Sequence, residues 1–142
     1  MALQFSAEAR EIMDMRFGCD SMIALATVAD GVPSVRAVNA YYENGCFYVI
    51  THAQSNKMKH IADNPVVGIC GEWFTGHGIA KSRGHVLSAA NAEIMDKLRL
   101  VFDEWYDNGH VNESDKNTIL LRIRLTDGVL MDHGERHELT IT

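Results

Sequence analysis

THAQSNKMKHIADNP, residues Thr51 to Pro65, leaves an apolar strand (CFYVI, Cys46–Ile50), crosses a short polar turn and begins a helix. Ser55 stands at the expected N-cap, where its hydroxyl can accept a bond from an unpaired amide of the first turn. Met58, Ile61 and Ala62 share one helical face, and Asn64-Pro65 stops the helix. Lys57 does not fit this pattern. A lysine in the first turn lies at the positive end of the helix dipole, which is unfavourable by a few tenths of a kcal/mol. A phosphate would relieve the conflict, because free amides at a helix start bind anions and the lysine adds a point charge. The residue types leave a second reading open, a solvated lysine on an exposed turn.

Upstream of this stretch, Ser6 can cap a helix over SAEAREIMDMRFG that stops at Gly18. Phe5, Ala9, Ile12, Met13 and Arg16–Phe17 form its stripe. Met22–Ala29 reads as a buried strand, Asp30-Gly31 as a hairpin turn, and Val32–Tyr42 as the return strand. Asn44-Gly45 is a second such turn and leads into Cys46–Thr51. Three antiparallel strands in a meander follow.

Downstream, Val66–Phe74 reads as one apolar strand, Gly76 and Gly78 as a turn or bulge, and Ile79–Leu87 as the return. A helix is predicted over Ala89–Asp107, with Ile94, Leu98, Val101, Phe102 and Trp105 at apolar spacing and Asn108-Gly109 as its end. Ile119–Leu125 alternates as a half-buried strand, Asp127-Gly128 turns, and Val129–Met131 begins a last strand. The tail DHGERHELTIT carries little signal. Six or seven short antiparallel strands with inserted helices predict a mainly β, α+β protein built as a small barrel with covering helices.

The 142 residues fit one domain, 1–142, able to bury roughly two-thirds of its unfolded surface. A net charge of −6 with mixed signs and no basic arm argues against a nucleic-acid partner. No apolar run is long enough to span a membrane. Three scattered cysteines, Cys19, Cys46 and Cys70, fit neither a zinc site nor a disulfide framework, so the expected location is the cytoplasm.

Arg36 is the second anomaly. It stands between Val35 and Ala37 in a strand of apolar and small residues, where an unpaired charge is costly. No carboxylate occupies an obvious cross-strand position, and the neighbouring strand delivers Lys57. An arginine, a lysine and a helix start could therefore converge on one phosphate, although an arginine reaching a rim carboxylate satisfies the same pattern. His133 and His137, four apart, would suit a metal on a helix, but a frayed exposed tail accounts for them and no metal is assigned. His52 and His77 are placed near strand ends, and Trp73 and Trp105 are read as core or interface aromatics. No constellation identifies a catalytic acid, base or nucleophile.

LATVADGVPSVRAV followed by FYVITHAQSNKMKHIADNPVVGI resembles the pyridoxamine 5′-phosphate oxidase-like family of FMN-binding split barrels. The likeness is close from Ile23 to about Leu87, and the chain's size and helix–strand tail are similar to the short general-stress-protein members. The resemblance implies a split β-barrel homodimer with FMN across the interface. Arg36 and Lys57 would then hold the phosphate, assisted by Ser55 or Asn56. Backbone groups of Ala37, Val38 and Asn39 would meet the ring edge, with Ile50 and Thr51 beside it. Three departures stand out: Tyr41 replaces the substrate lysine, Ile79 replaces a cofactor-contacting glutamine, and the C-terminal arginine–histidine motif is missing. Oxidation of pyridoxamine phosphate itself is therefore not expected. The reading is an FMN-dependent two-electron reductase or oxidase of a small organic molecule, with reduced nicotinamide as a donor. A non-catalytic flavin-binding or electron-carrier protein is the alternative. Haem or deazaflavin on the same barrel is a third, with His52, His77 and His85 as the histidines in question.

Overall fold

The structure of the protein, a computed structural model, describes residues 3–4 and 6–141, with side chains for 6–109 and 111–139. A two-residue strand, β1 (Leu3–Gln4), precedes α1 (Ala7–Phe17). Ser6 caps α1 by accepting from the Ala9 amide at 3.1 Å. Ala9, Met13 and Phe17 are buried and Ile12 packs beside them; Phe5, assigned to the same stripe, lies outside the described residues. The Phe17 ring meets Phe47 and Phe74 edge-on, with centroids 5.6 and 5.8 Å away. Burial of one such side chain stabilises the fold by about 1.5–3 kcal/mol, so α1 is fastened to the barrel by its last turn.

The meander follows as predicted. Asp30-Gly31 and Asn44-Gly45 take successive positive φ angles of 52° and 76°, then 49° and 82°. Such turns match the twist of paired strands, and they join β2 (Ser21–Ala29), β3 (Val32–Glu43) and β4 (Cys46–His52). After α2 (Asn56–Asp63) come β5 (Val66–Gly71) and β6 (Phe74–His85). A 3₁₀ turn (Ala89–Asn91) leads to α3 (Ala92–Val101), and Phe102 separates it from the short α4 (Asp103–Trp105). The helical region predicted over Ala89–Asp107 is thus present but interrupted, and Gly109, at φ 98°, ends its last turn. β7 (Thr118–Asp132) and β8 (Glu135–Ile141) complete the chain.

The strands form one antiparallel sheet in the order β1-β8-β7-β4-β3-β2-β5-β6, and β6 also pairs with β7. That last pairing closes a barrel of six strands, β2 to β7, with β8 and β1 as an extension. The α+β split barrel is therefore the observed architecture. Its interior holds Ile23, Leu25, Phe47, Val49, Phe74, Leu121 and Ile123. A second core lies outside the barrel wall, where Met95, Leu98, Phe102 and Tyr106 of the helical segment cover Leu120, Tyr48 and Ile50. Among the described residues no helix is long and apolar enough to cross a membrane.

Four expectations are corrected. Gly76 and Gly78 do not make a turn, because both lie inside β6, and the reversal occurs at Glu72-Trp73 with Trp73 at φ 54°. Trp73 is accordingly 71% exposed at a hairpin tip and not a core aromatic. Asp127-Gly128 does not turn either. It is internal to β7, and the reversal is at His133-Gly134, φ 48° and 82°. The tail is not frayed, since β8 pairs with β7 from Asp127↔Thr140 to Asp132↔Glu135. Gly76 and Gly128 serve close approach: a Cβ on Gly76 would lie 2.5 Å from the Asp127 carbonyl oxygen, and one on Gly128 2.7 Å from the Phe74 ring.

β3 pairs with β4 only through Tyr41↔Tyr48, Tyr42↔Phe47 and Glu43↔Cys46. From Ala40 back to Val32, β3 stays with β2, while β4 from Val49 to His52 stays with β7. The wall forks there.

The Gly76 contact is with backbone, which cannot swing aside. Gly76→Ala is expected to destabilise the protein by about 1–3 kcal/mol, lowering the Tm by about 3–10 °C. An unchanged melting curve would show that β6 and β7 are not packed this closely.

Candidate functional site

The fork opens a cleft of about 500 Å³, a volume suited to a small ligand or cofactor. Val38 and Asn39 line it from β3, Val49, Ile50, Thr51 and His52 from β4, and Lys57 from the first turn of α2. Trp105, Val111 and Thr118 close it from the helical segment and the start of β7.

Lys57 donates to Thr51 Oγ1 at 2.6 Å. An ammonium has three donors, and no carboxylate pairs with it among the described residues. Burial, and then the nearby Arg36 guanidinium, push the Lys57 amine below its ordinary range. Arg36 is half-buried, and burial lowers its pKa too. Its Nη1 donates to the Leu25 carbonyl at 3.1 Å, Thr27 Oγ1 at 2.8 Å and the Ser34 carbonyl at 3.3 Å. Thr27 is fully buried and its hydroxyl also meets His60 Nδ1 at 2.8 Å, so β2 and α2 together aim the guanidinium. Arg36 Nε and Nη2 have no acceptor among the described residues. Two cations near one another, without an acid, is an arrangement that repels itself until an anion arrives.

Ser55 occupies the N-cap of α2 with extended backbone, as predicted, yet its side chain makes no capping bond. Its Oγ is buried without a hydrogen-bond partner. A buried hydroxyl of this kind costs roughly 1–3 kcal/mol unless something outside the chain satisfies it. The orphan oxygen, the open helix start and the two cations have the chemistry of an oxyanion site, and they fit a phosphate group.

Of the residues singled out from sequence, Val38, Asn39, Ile50, Thr51 and Lys57 line the cleft. Arg36 and Ser55 are half-buried and not among the lining residues, Asn56 is exposed on α2, and the Ala37 side chain is exposed on β3. Sequence reasoning missed Thr27, His60 and the cleft-lining roles of Trp105, Val111 and Thr118, because they arrive from other elements. His52 lines the cleft, with Nδ1 accepting from the Gln54 amide at 3.2 Å and Nε2 3.5 Å from Asp115. His77 instead pairs with Asp127 at 3.0 Å, and His85 Nε2 lies 2.7 Å from the Glu113 carbonyl oxygen. His133 and His137 do not converge: His133 meets Asp132, whereas His137 lies near Glu135 and Glu8. Those two glutamates are exposed, and no metal is assigned to them.

The sequence pattern of the family described as pyridoxamine 5′-phosphate oxidase matches residues 9–131. The pyridoxine/pyridoxamine 5′-phosphate oxidase of Rippkaea orientalis is 37% identical over 73 residues, which is 50% of this chain and 34% of that protein. The match thus spans about a third of the length of that curated relative. Among solved structures, General Stress Protein 26 from Bacillus anthracis superposes with a TM-score of 0.72 at 19% identity, covering 91% of this chain and 97% of the other. A FAD-binding protein from Mesorhizobium loti gives 0.67 at 13% identity over 99% and 100% of the two chains. HutZ, the haem storage protein of Vibrio cholerae, gives 0.63 at 18% identity over 86% and 90%. At these identities the structural likeness establishes the fold alone, and the fold carries more than one cofactor.

An oxyanion site should respond to the bare ion. Inorganic phosphate at ten times its Kd is expected to stabilise the protein by about 1.4 kcal/mol, raising the Tm by about 3–6 °C relative to chloride at equal ionic strength. An equal rise in the Arg36→Ala/Lys57→Ala double variant would place the phosphate elsewhere.

Proposed function

The chain belongs to the pyridoxamine 5′-phosphate oxidase family, and on that premise we propose that it is an FMN-dependent oxidoreductase acting on a small organic molecule. The observation that carries this reading is a pair of neighbouring half-buried cations without an acid, one of which, Lys57, lines the cleft, together with the orphan Ser55 hydroxyl at the start of the same helix. Lys57 and Arg36 would hold the FMN phosphate, with Ser55 and the exposed start of α2 at Asn56 completing the set. Val38, Asn39, Ile50 and Thr51 would line the ring-bearing part, and the backbone of Ala37–Asn39 is free of a β4 partner there. Bound in this way, FMN supplies two-electron redox chemistry, and the protein supplies position and charge.

Tyr41 and Ile79 bear on the substrate. Tyr41 packs in the second core and donates to Glu43 at 3.2 Å, so it offers no cation to a substrate phosphate. Ile79 is apolar and sits opposite Arg124 on β7. Both favour a substrate other than pyridoxamine phosphate, and reduced nicotinamide is the donor we assign. The homodimer proposal rests on the family and on the outer face of β2 and β3, where Met22 and Val35 are 59% and 69% exposed. The unpaired cysteines Cys19, Cys46 and Cys70 suit the proposed cytoplasmic setting.

One observation favours a flavin-binding or electron-carrier protein without turnover. His52 is the imidazole among the described cleft-lining residues, with Nδ1 accepting from the Gln54 amide and Nε2 3.5 Å from Asp115, and apart from Lys57 no other described side chain on the cleft wall is an acid or base. Steady-state oxidation of reduced nicotinamide by the flavin-loaded protein separates enzyme from carrier. An absorption spectrum of the purified protein tests the cofactor, and a Soret band in place of flavin bands would reject both readings.

Each charge-assisted hydrogen bond contributes about 1.5–3 kcal/mol, so Arg36→Ala and Lys57→Ala are each expected to weaken FMN binding about ten- to a hundredfold. Riboflavin, without the phosphate, should bind weakly and respond little. Equal losses for both ligands would assign these cations to the fold instead.

The pH dependence has a definite sign. Lys57 releases its proton at lower pH than an ordinary lysine, because burial and Arg36 both favour the neutral amine. FMN needs the charged form, so its affinity is complete below that depressed pKa and falls as pH rises through it. Flavin-fluorescence titrations from neutral to alkaline pH should show this fall in the parent and lack it in Lys57→Ala.

A further inference from the structure

Asp20 lies in the short loop between α1 and β2, outside the cleft lining, and both of its carboxylate oxygens reach residues that do line it. Oδ1 accepts from Asn39 Nδ2 at 3.0 Å, and Oδ2 accepts from Trp105 Nε1 at 2.9 Å. Asn39 belongs to β3, on one branch of the fork. Trp105 ends α4, in the helical segment that covers the other branch. No lysine, arginine or histidine pairs with Asp20 among the described residues, so the two neutral donors are what its charge has been given. Bonds to an ionised acceptor are shorter and stronger than neutral ones. Beyond this bond, the Trp105 ring lies tilted against Phe102, at 4.8 Å between centroids, and near Tyr106, at 6.3 Å, both within its own helical segment.

We propose that Asp20 is a positioning residue that sets the width of the cleft by tying Asn39 to Trp105 across the fork. The proposal rests on the flavin reading of the cleft. Lys57 marks the phosphate end, so the walls that Asp20 ties bound the part that receives the ring. The tie also orients Asn39. With Nδ2 committed to Asp20, the amide oxygen is the group Asn39 has left to accept a donor from a ligand. Asp20 therefore acts on ring recognition and is indifferent to the phosphate, the reverse of Arg36 and Lys57.

The test uses Asp20→Ala, Asp20→Asn and Trp105→Phe in the full chain, all titrated with FMN and with riboflavin. Asp20→Ala removes both bonds and is expected to weaken both ligands by the same factor, about tenfold. Asp20→Asn keeps one acceptor and should lose about threefold, and Trp105→Phe, which deletes the indole donor together with part of a ring that lines the cleft, should lose at least as much. Riboflavin decides the matter, because a loss confined to FMN, or no loss for either ligand, overturns the proposal. A spectroscopic readout stands apart from flavin. In a Trp73→Phe background Trp105 is the single tryptophan, and Asp20→Ala should move its emission to the red in the apoprotein as the indole loses its partner. Unchanged emission overturns the tie itself. If the parent binds no flavin, the functional reading fails, and the emission result alone decides whether Asp20 fixes Trp105.

Discussion

The site depends on the early parting of β3 from β4. Only three residue pairs join these strands before β3 follows β2 and β4 follows β7. In an uninterrupted barrel the backbone groups beyond Tyr41 would be consumed by a ladder, and no cleft would exist. The parting is possible because each strand has a full partner on its other side. β3 pairs with β2 over nine residues and β4 with β7 over seven, so neither branch is left as a bare edge. Closure of β6 onto β7 holds the rest of the wall. The helical segment then covers the outer side of the parted strands, and its last residues come down as the cleft's far wall.

The meander was legible because its turns carry their own chemistry. Asp-Gly and Asn-Gly favour two successive positive φ angles, and these dipeptides stand between apolar runs. The second half was harder for the same reason. Asp127-Gly128 has the composition of a turn, but its glycine leaves room for the Phe74 ring to approach β7 closely. The real reversals use Glu72-Trp73 and His133-Gly134, and the first has no glycine in its left-handed position. A tryptophan is uncommon there, so local composition pointed to the wrong place. β8 was missed because its alternation is carried by Glu135, His137 and Leu139, of which only the last is apolar. Register with β7 shows what composition could not.

The site was legible where a residue was locally out of place. Lys57 at a helix start and Arg36 inside an apolar strand conflict with the elements that carry them, and the conflict is visible without coordinates. Residues that agree with their own element were invisible. Thr27 is an ordinary strand threonine until Arg36 and His60 are both found on its hydroxyl. Trp105 reads as a helix aromatic and Asp20 as a loop acid, 85 residues apart in sequence, until they meet. Ser55 is the reverse case: its position at the cap was predicted correctly, and the bond expected of it there is not made.

These features separate the two tasks of the chain. A carboxylate beside Arg36 or Lys57 would remove their mutual repulsion, and the sequence has acids in excess. It places them elsewhere: Asp132 on Arg16, Glu43 on Lys97, and Glu113 on Arg99. The first two fasten a helix to the barrel, and the third joins α3 to the loop that precedes β7. Thr51 and Thr27, which carry no charge, are what the site's cations receive instead. A neutral hydroxyl orients a cation without cancelling its field, whereas a carboxylate would do both. Ion pairing is thus used where the fold needs joining, and withheld where a ligand's charge is to be received.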